Sequence, residues 1–527
     1  MQVSDTLTAQ QTEIADSGSS APLPVALIAS DVSETPVGSQ VSDRLVVNTL
    51  VDENDGIEDG EISLREALAA IAEGGTISFD SSLQDRTIVL NGSELLVERS
   101  LTIAGDTRNV TIDANLQSRV FNIDDGDAGV LSQVAIDGLT LTRGSTSVLA
   151  GDGSGGGIRN AESIALSNSS VSNNIAFSAG GIANLRGASL TLVSSTLSGN
   201  SSTSFGGGIN NLGSLEIVNS TLSGNSSSTA GGGISAASNT VTEIRNSTLV
   251  GNTANAGGGI QSFAGSTVIV SSSLISGNTA TSSGNEIYNS GSLTANSQNL
   301  FGHGGQSNAQ AFVGFSPGVS DINATSDGID SALTDILDTN LADNSGSTQT
   351  HALVRDSPAI DTGNNDANLN ADQRGEGVVR VDGLQADIGA FEATPPPAEL
   401  IVNTLADEND GIEDGEISLR EALAAIADGG IITFDSSLQG QTITLGGSQL
   451  DIVRSVTIDG DVDGDEVADI TVDANQQSRV FDINDGDENV SSEVMLSRLI
   501  ISGGSIDGGR SGSASGGGIR NRESLTL

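Results

Sequence analysis

The sequence predicts an all-β fold, a right-handed parallel β-helix, and three observations carry that prediction. Isoleucines following glycines fall at Ile158, Ile182, Ile209, Ile234, Ile260 and Ile287, at steps of 24, 27, 25, 26 and 27 residues. Asparagines keep step at Asn174, Asn200, Asn225, Asn252 and Asn278, with alternating runs such as Leu190-Thr191-Leu192-Val193 between them. A period near 25 that holds only short strands and turns is that of a stacked solenoid. A helical repeat would need amphipathic runs of about 10–15 residues, and none is present. The third observation is a duplication: residues 45–84 and 400–439 match at 35 of 40 positions, offset by 355.

The elements follow in order. Residues 1–44 read as a disordered leader, with no basic residue before Arg44 and one short apolar run over 22–29. That is too little for a secretory signal. A complete unit is expected over 45–394, comprising an N-terminal cap over 45–84, coils over 85–302 and a C-terminal cap over 303–394. A Pro-rich linker over 395–399 leads to a second, truncated unit over 400–527. Each unit opens with a strand (45–50 in the first), an acidic loop and a helix. Ser63 and Glu66 form a capping box, and Leu64, Leu68 and Ile71 give one apolar stripe. Gly74-Gly75 is expected to end the helix. Strands follow at 76–79, 100–103, 110–112 and 120–123. In the coils the Ile and Leu residues face inward in ladders, glycines allow tight turns, and the asparagines stack. The second unit reaches only Leu527, the counterpart of Leu166. It is expected to be part of a longer protein, with an open end that invites self-association.

Composition narrows the function. The net charge is −48, all 20 basic residues are arginine, and cysteine is absent. Such acidity disfavours nucleic acid and anionic membranes and favours cations. There is no disulfide framework or thiolate metal site, and no apolar run is long enough for a membrane-spanning helix.

The run LVVNTL…ISLREALAAI resembles the N-terminal CSLREA segment of bacterial surface proteins, with Ile62 in place of the cysteine. SPAIDTG (357–363), ADQRG (371–375) and ADIGAFE (386–392) resemble the end of the choice-of-anchor Q domain. The GGGI and SGN repeats are similar to those of polymorphic outer-membrane passenger proteins. These resemblances imply a pectin-lyase-like β-helix in an exported or surface-attached protein, placed outside the cell or at its surface. The autotransporter barrel of a passenger protein is absent from this sequence.

A β-helix also suggests a polysaccharide lyase or glycoside hydrolase, which sets carboxylates on the central coils. From Ser154 to Gly302 there is no aspartate. The acids are Glu162, Glu216, Glu243 and Glu286, and the bases are Arg159, Arg186 and Arg245. They fall at different coil phases, only Glu216 and Glu243 standing one coil apart, and read as solvated surface. His303 and His351 read as local hydrogen-bonding residues. Asp361, Asp372, Arg374, Asp387 and Glu392 read as a polar cap over the last coil's open edge, with Arg374 paired to a carboxylate. No catalytic residue is assigned. One metal site is expected: Asp459, Asp461, Asp463 and Asp465 alternate around a turn glycine as in a calcium loop, although Ile470 stands at the last EF-hand ligand position. The resulting expectation is a non-catalytic structural or adhesive module with Ca²⁺ as the ion. Its Ser/Thr/Asn faces are available to glycans or matrix components, and there is no nucleic-acid partner or membrane insertion. The alternative is a pectin-lyase-like lyase or hydrolase.

Overall fold

The computed structural model describes residues 42–105, 109–127, 129–146, 152–412, 415–486, 491–506 and 516–527. The leader lies outside them up to residue 41, but its expected end is too late: Ser42–Val47 is already the first strand, pairing with Ile71–Phe79.

The first unit winds its strands into four parallel sheets, named A to D here. Sheet A has ten strands, from Ser42–Val47 to Ser292–Asn296; sheet B ten, from Thr87–Val89 to Ile322–Asn323. Sheet C has nine, from Leu95–Val97 to Phe312–Val313, and sheet D five, from Ile175–Ala176 to Thr279–Ser283. Every strand pair in these sheets is parallel, the topology of a right-handed parallel β-helix. Ile158, Ile182, Ile209, Ile234, Ile260 and Ile287 stack in register as expected, and the ladder runs on through Phe121 to Leu95 at one end and to Phe312 at the other. These side chains are buried and feed one continuous core with the inward residues of sheets A and B. The second unit repeats the plan with sheets of five, three and three strands around its own core.

The glycines before each isoleucine have a packing reason. Gly206 adopts φ +66°, and a Cβ on Gly207 would lie 2.4 Å from the carbonyl oxygen of Gly232 on the next coil. Any side chain there would push the coils apart.

The helix occupies Leu64–Ala70 with both halves of the capping box formed, and Leu419–Ala425 repeats it. It ends at Ala70, four residues before Gly74, because Ile71 already turns extended to begin the strand. Glu66 accepts from the backbone of Ser63, Asp55 and Gly56. Burial alone would raise its pKa, but these bonds outweigh it and hold the carboxyl below its ordinary range.

Polar ladders line the turns. Each asparagine from Asn174 to Asn252 donates its side-chain amide to the Oδ1 of the next, at 2.9 Å throughout. The last donor, Asn278, gives its amide to the carboxylate of fully buried Glu286, at 2.6 Å. A parallel chain runs Ser169, Ser195, Ser220, Ser247 and Ser273, each backbone N–H donating to the next hydroxyl, then to Asn299 and Asp321. Both chains run one way and end on an acidic group, which accepts without needing to donate.

The terminal segment corrects an expectation. Residues 303–335 close the last coil, adding the strands Phe312–Val313 and Ile322–Asn323. Residues 337–392, with the cluster read as an edge cap, instead fold back along the outer face of sheet B as a strap. Ile336, Leu337, Ala359 and Ile388 bury against Val250, Leu274 and Leu300, a separate apolar seam outside the helix. Outward-facing apolar residues on sheet B need cover, and the strap supplies it.

Candidate functional site

The acids of the central coils are only in part the solvated surface expected of them. Glu162 and Glu286 are buried. Glu162 accepts from the backbone of Asp125 and Ser132, holding a loop. Glu286 closes the asparagine ladder and also accepts from Gln306, with His303 at 3.6 Å. Glu216 and Glu243 do sit side by side on sheet A, partly exposed, and Arg245 bridges them. Each of the four carboxylates thus has a structural partner.

On the strap, His351 contacts Ser223. Nε2 lies 2.9 Å from Ser223 Oγ, and Nδ1 lies 2.8 Å from the carbonyl of Asp338. The carbonyl can only accept, so Nδ1 carries the proton and Nε2 receives the serine hydroxyl. The pair has the elements of a nucleophile and base, but both residues are buried, and the N–H of Gly224 that could face an oxyanion already donates to Val250. The hydrogen-bonding role expected for both histidines is the arrangement found. Burial lowers the pKa of His351, only partly offset by the Asp338 carbonyl.

Arg374 pairs with Asp372 at 2.7 Å, as expected, and lies 3.9 Å over the Phe391 ring. Beside it Arg380 is buried, bonded to the carbonyls of Asp387 and Gly389 and 3.5 Å from Glu392. Burial lifts the pKa of Glu392 to about 7, the neighbouring Asp387 adds to the rise, and backbone N–H bonds and Arg380 oppose it. Asp361 accepts from the backbone of Leu384 and Gln385. These contacts build the strap.

The predicted calcium loop divides. Asp461 and Asp463 converge with Asp469, their carboxylate oxygens all within 4.8 Å of one another. Asp459 lies at the end of the strand Val456–Asp459, with both oxygens held by Arg498 at 3.0 and 2.7 Å. Asp465 accepts from the backbone of Val467 and is not in the cluster. The residues present therefore fit a cation through Asp461, Asp463 and Asp469. Arg498, 3.5 Å from Asp461, already supplies part of the compensating charge. The sequence reading missed Asp469 and Arg498. The duplication held a signal for Arg498: strand pairing aligns it with Gly138, in the unit that lacks the acidic loop.

An Arg-acid corner also recurs in both units. Buried Arg119 pairs with Glu94 at 2.7 Å and Arg159 with Asp124 and Asp152; in the second unit Arg479 bonds Gln449 and Arg520 pairs with Asp482. Asp482 also stands 3.7 Å from Arg479, so each arginine of the corner has a carboxylate partner, and these contacts tie successive coils together.

No protein family matches the chain, and no curated protein sequence matches it. Among solved structures it is similar to the pectate lyase Pel9A, at 16% identity and TM-score 0.42, covering 67% of this chain and 98% of that one. A mutant of the PL6-family alginate lyase AlyGC is similar at 11% identity and TM-score 0.23, with 86% and 71% covered.

Proposed function

We propose that this is a non-catalytic β-helix module of the cell exterior, serving as a structural or adhesive column. The observation that supports this most is the employment of the central-coil acids. Glu162 and Glu286 are committed to backbone and ladder bonds, Glu216 and Glu243 to Arg245, and the strap covers sheet B over the same coils. Arg186 stands exposed in a turn of these coils, but a lyase or hydrolase needs a carboxylate free to act on substrate or to hold a cation beside such a base, and all four acids are committed. The test is product release from pectate, alginate and neutral glycans with calcium present, with wild type, Arg186→Ala and Glu216→Gln in parallel. No release above background is expected; release abolished by either substitution would establish the enzymatic alternative. Protease shaving of intact source cells tests the location, and protection of the protein would refute a surface role.

The calcium expectation continues as a proposal, with Asp461, Asp463 and Asp469 as the ligands and Asp459 as the partner of Arg498.

A further inference from the structure

The two units carry the same N-terminal cap, and its helix ends in two different ways. In the first unit Arg99 donates to the carbonyl of Ile71, just past the helix Leu64–Ala70, at 2.8 Å. A cation there satisfies a carbonyl that the helix leaves unpaired and meets the negative end of its dipole. The duplication, offset by 355, makes Arg454 and Ile426 the counterparts in the second unit. There Arg355 of the strap takes the arginine's place, donating to the carbonyls of Ala424 and Ile426. Arg454 is turned instead to Asp356 of the strap, 3.7 Å away.

The rest of the joint offers this contact little support. The apolar cores of the two units are separate clusters. A cleft of about 540 Å³, lined by Leu353, Ile360, Phe391, Pro396 and Ala425, lies between the strap and the second helix. On one side of the linker the Ala393 N–H is fixed to Asp387, and on the other the Pro397 carbonyl accepts from Ala427. Only Thr394-Pro395-Pro396 lies between those anchors, so rotation about a few bonds carries the whole second unit. The docked arrangement also carries costs of its own. Nε of Arg355 and Nε of Arg454 are both buried without a hydrogen-bond partner. Burial, and then the charge of Arg454, lower the pKa of Arg355. The Asp356 side chain is 74% exposed, so its pairing with Arg454 contributes little in return.

We propose that the joint is a two-state clasp. It is closed here, with Arg355 on the helix of the second unit; it opens when Arg454 returns to the Ile426 carbonyl, as Arg99 sits on Ile71. One arginine replaces the other, so the helix end stays capped in both states and the second unit can pivot without unravelling. The clasp goes beyond the column proposed above and does not depend on what that column binds.

The full chain has no cysteine, so Ser292→Cys and Ser436→Cys, both at exposed positions, place one spin label on each unit. Pulsed electron resonance then reads the distance between them. Arg355→Ala is expected to move the population to a second, defined distance, changing the ratio of the two by about tenfold or more. Arg454→Ala is expected to keep the closed distance, because only the open state needs that arginine on the helix. Hydrogen exchange over 423–427 reads the handover. Protection should survive in Arg355→Ala and fall on the order of tenfold in Arg355→Ala/Arg454→Ala. An unchanged distance in Arg355→Ala overturns the proposal, and so does a distribution that only broadens, the mark of a loose tether. Opening by Arg454→Ala overturns it as well. Protection lost as fully in Arg355→Ala as in the double variant would show that Arg454 does not take over, and the two-state clasp fails.

Discussion

Asn225 illustrates how one side chain holds three coils. Its amide donates to Asn252 Oδ1 and the Leu197 carbonyl, and its oxygen accepts from the backbone and side-chain N–H of Asn200. Asn225→Leu, nearly isosteric, leaves buried partners on both sides unsatisfied and should cost about 3–5 kcal/mol in urea unfolding. Ile209→Asp places an unpaired charge inside the fully buried ladder and should cost roughly 4 kcal/mol or more, whereas Ser201→Asp, half-exposed on sheet D, should cost little. Glu286 offers a finer test. Glu286→Gln keeps an oxygen for Asn278 and should be clearly milder than Glu286→Leu, which removes the acceptor; equal losses would show that the ladder's end is not held by that bond. The stacking of these residues was legible because it repeats every coil. The burial of Glu286 was not, since a lone acid beside an isoleucine reads as surface until Asn278 and Gln306 are known to surround it.

At the scale of elements, the strap is the part the sequence concealed. Gln373 bonds Thr196, Thr221 and Thr348, two of them more than 150 residues away in the chain, and no local pattern encodes such pairs. Its terminal motifs suggested a cap, and a cap over the open end was the nearest local explanation. Two of its groups make docking depend on pH in opposite senses. Glu392 has a folded pKa of about 7, above its ordinary value, so the docked strap binds a proton the free strap does not; this contribution is lost as pH rises through about 7. His351 is held neutral by burial, so its contribution is lost as pH falls below its ordinary value near 6.5. Hydrogen exchange over 337–392 in His351→Gln should therefore slow steadily from pH 8 to pH 5, and in Glu392→Gln should lose protection toward acid, once intrinsic rates are corrected. The calcium loop is the other element-scale case. Asp461→Asn and Asp469→Asn should abolish weak binding, of the order of 10⁻⁴–10⁻³ M, while Asp465→Asn leaves it unchanged in calorimetry. The alternating Asp pattern located that turn, yet only the fold reveals that Arg498, from the next coil, has claimed Asp459.

For the whole molecule, stability is close to a sum over coils and their interfaces. The second unit carries sheets of five, three and three strands against ten, ten, nine and five in the first, and no strap is seen among its described residues. Its amides should exchange first, and its melting should precede that of the first unit by a resolvable step in calorimetry. A single transition with uniform protection would show that the two cores unfold together.

The strap also changes how the column would bear load. A bare stack pulled along its axis gives way one interface at a time, so its strength is that of a single coil. Here one segment is fastened to Thr196, Thr221, Thr248 and Ser272, on four successive coils. Tension across those coils must shear these fastenings together before any one coil peels. The strapped stretch would thus resist force as a rod, and the uncovered coils on either side would yield first.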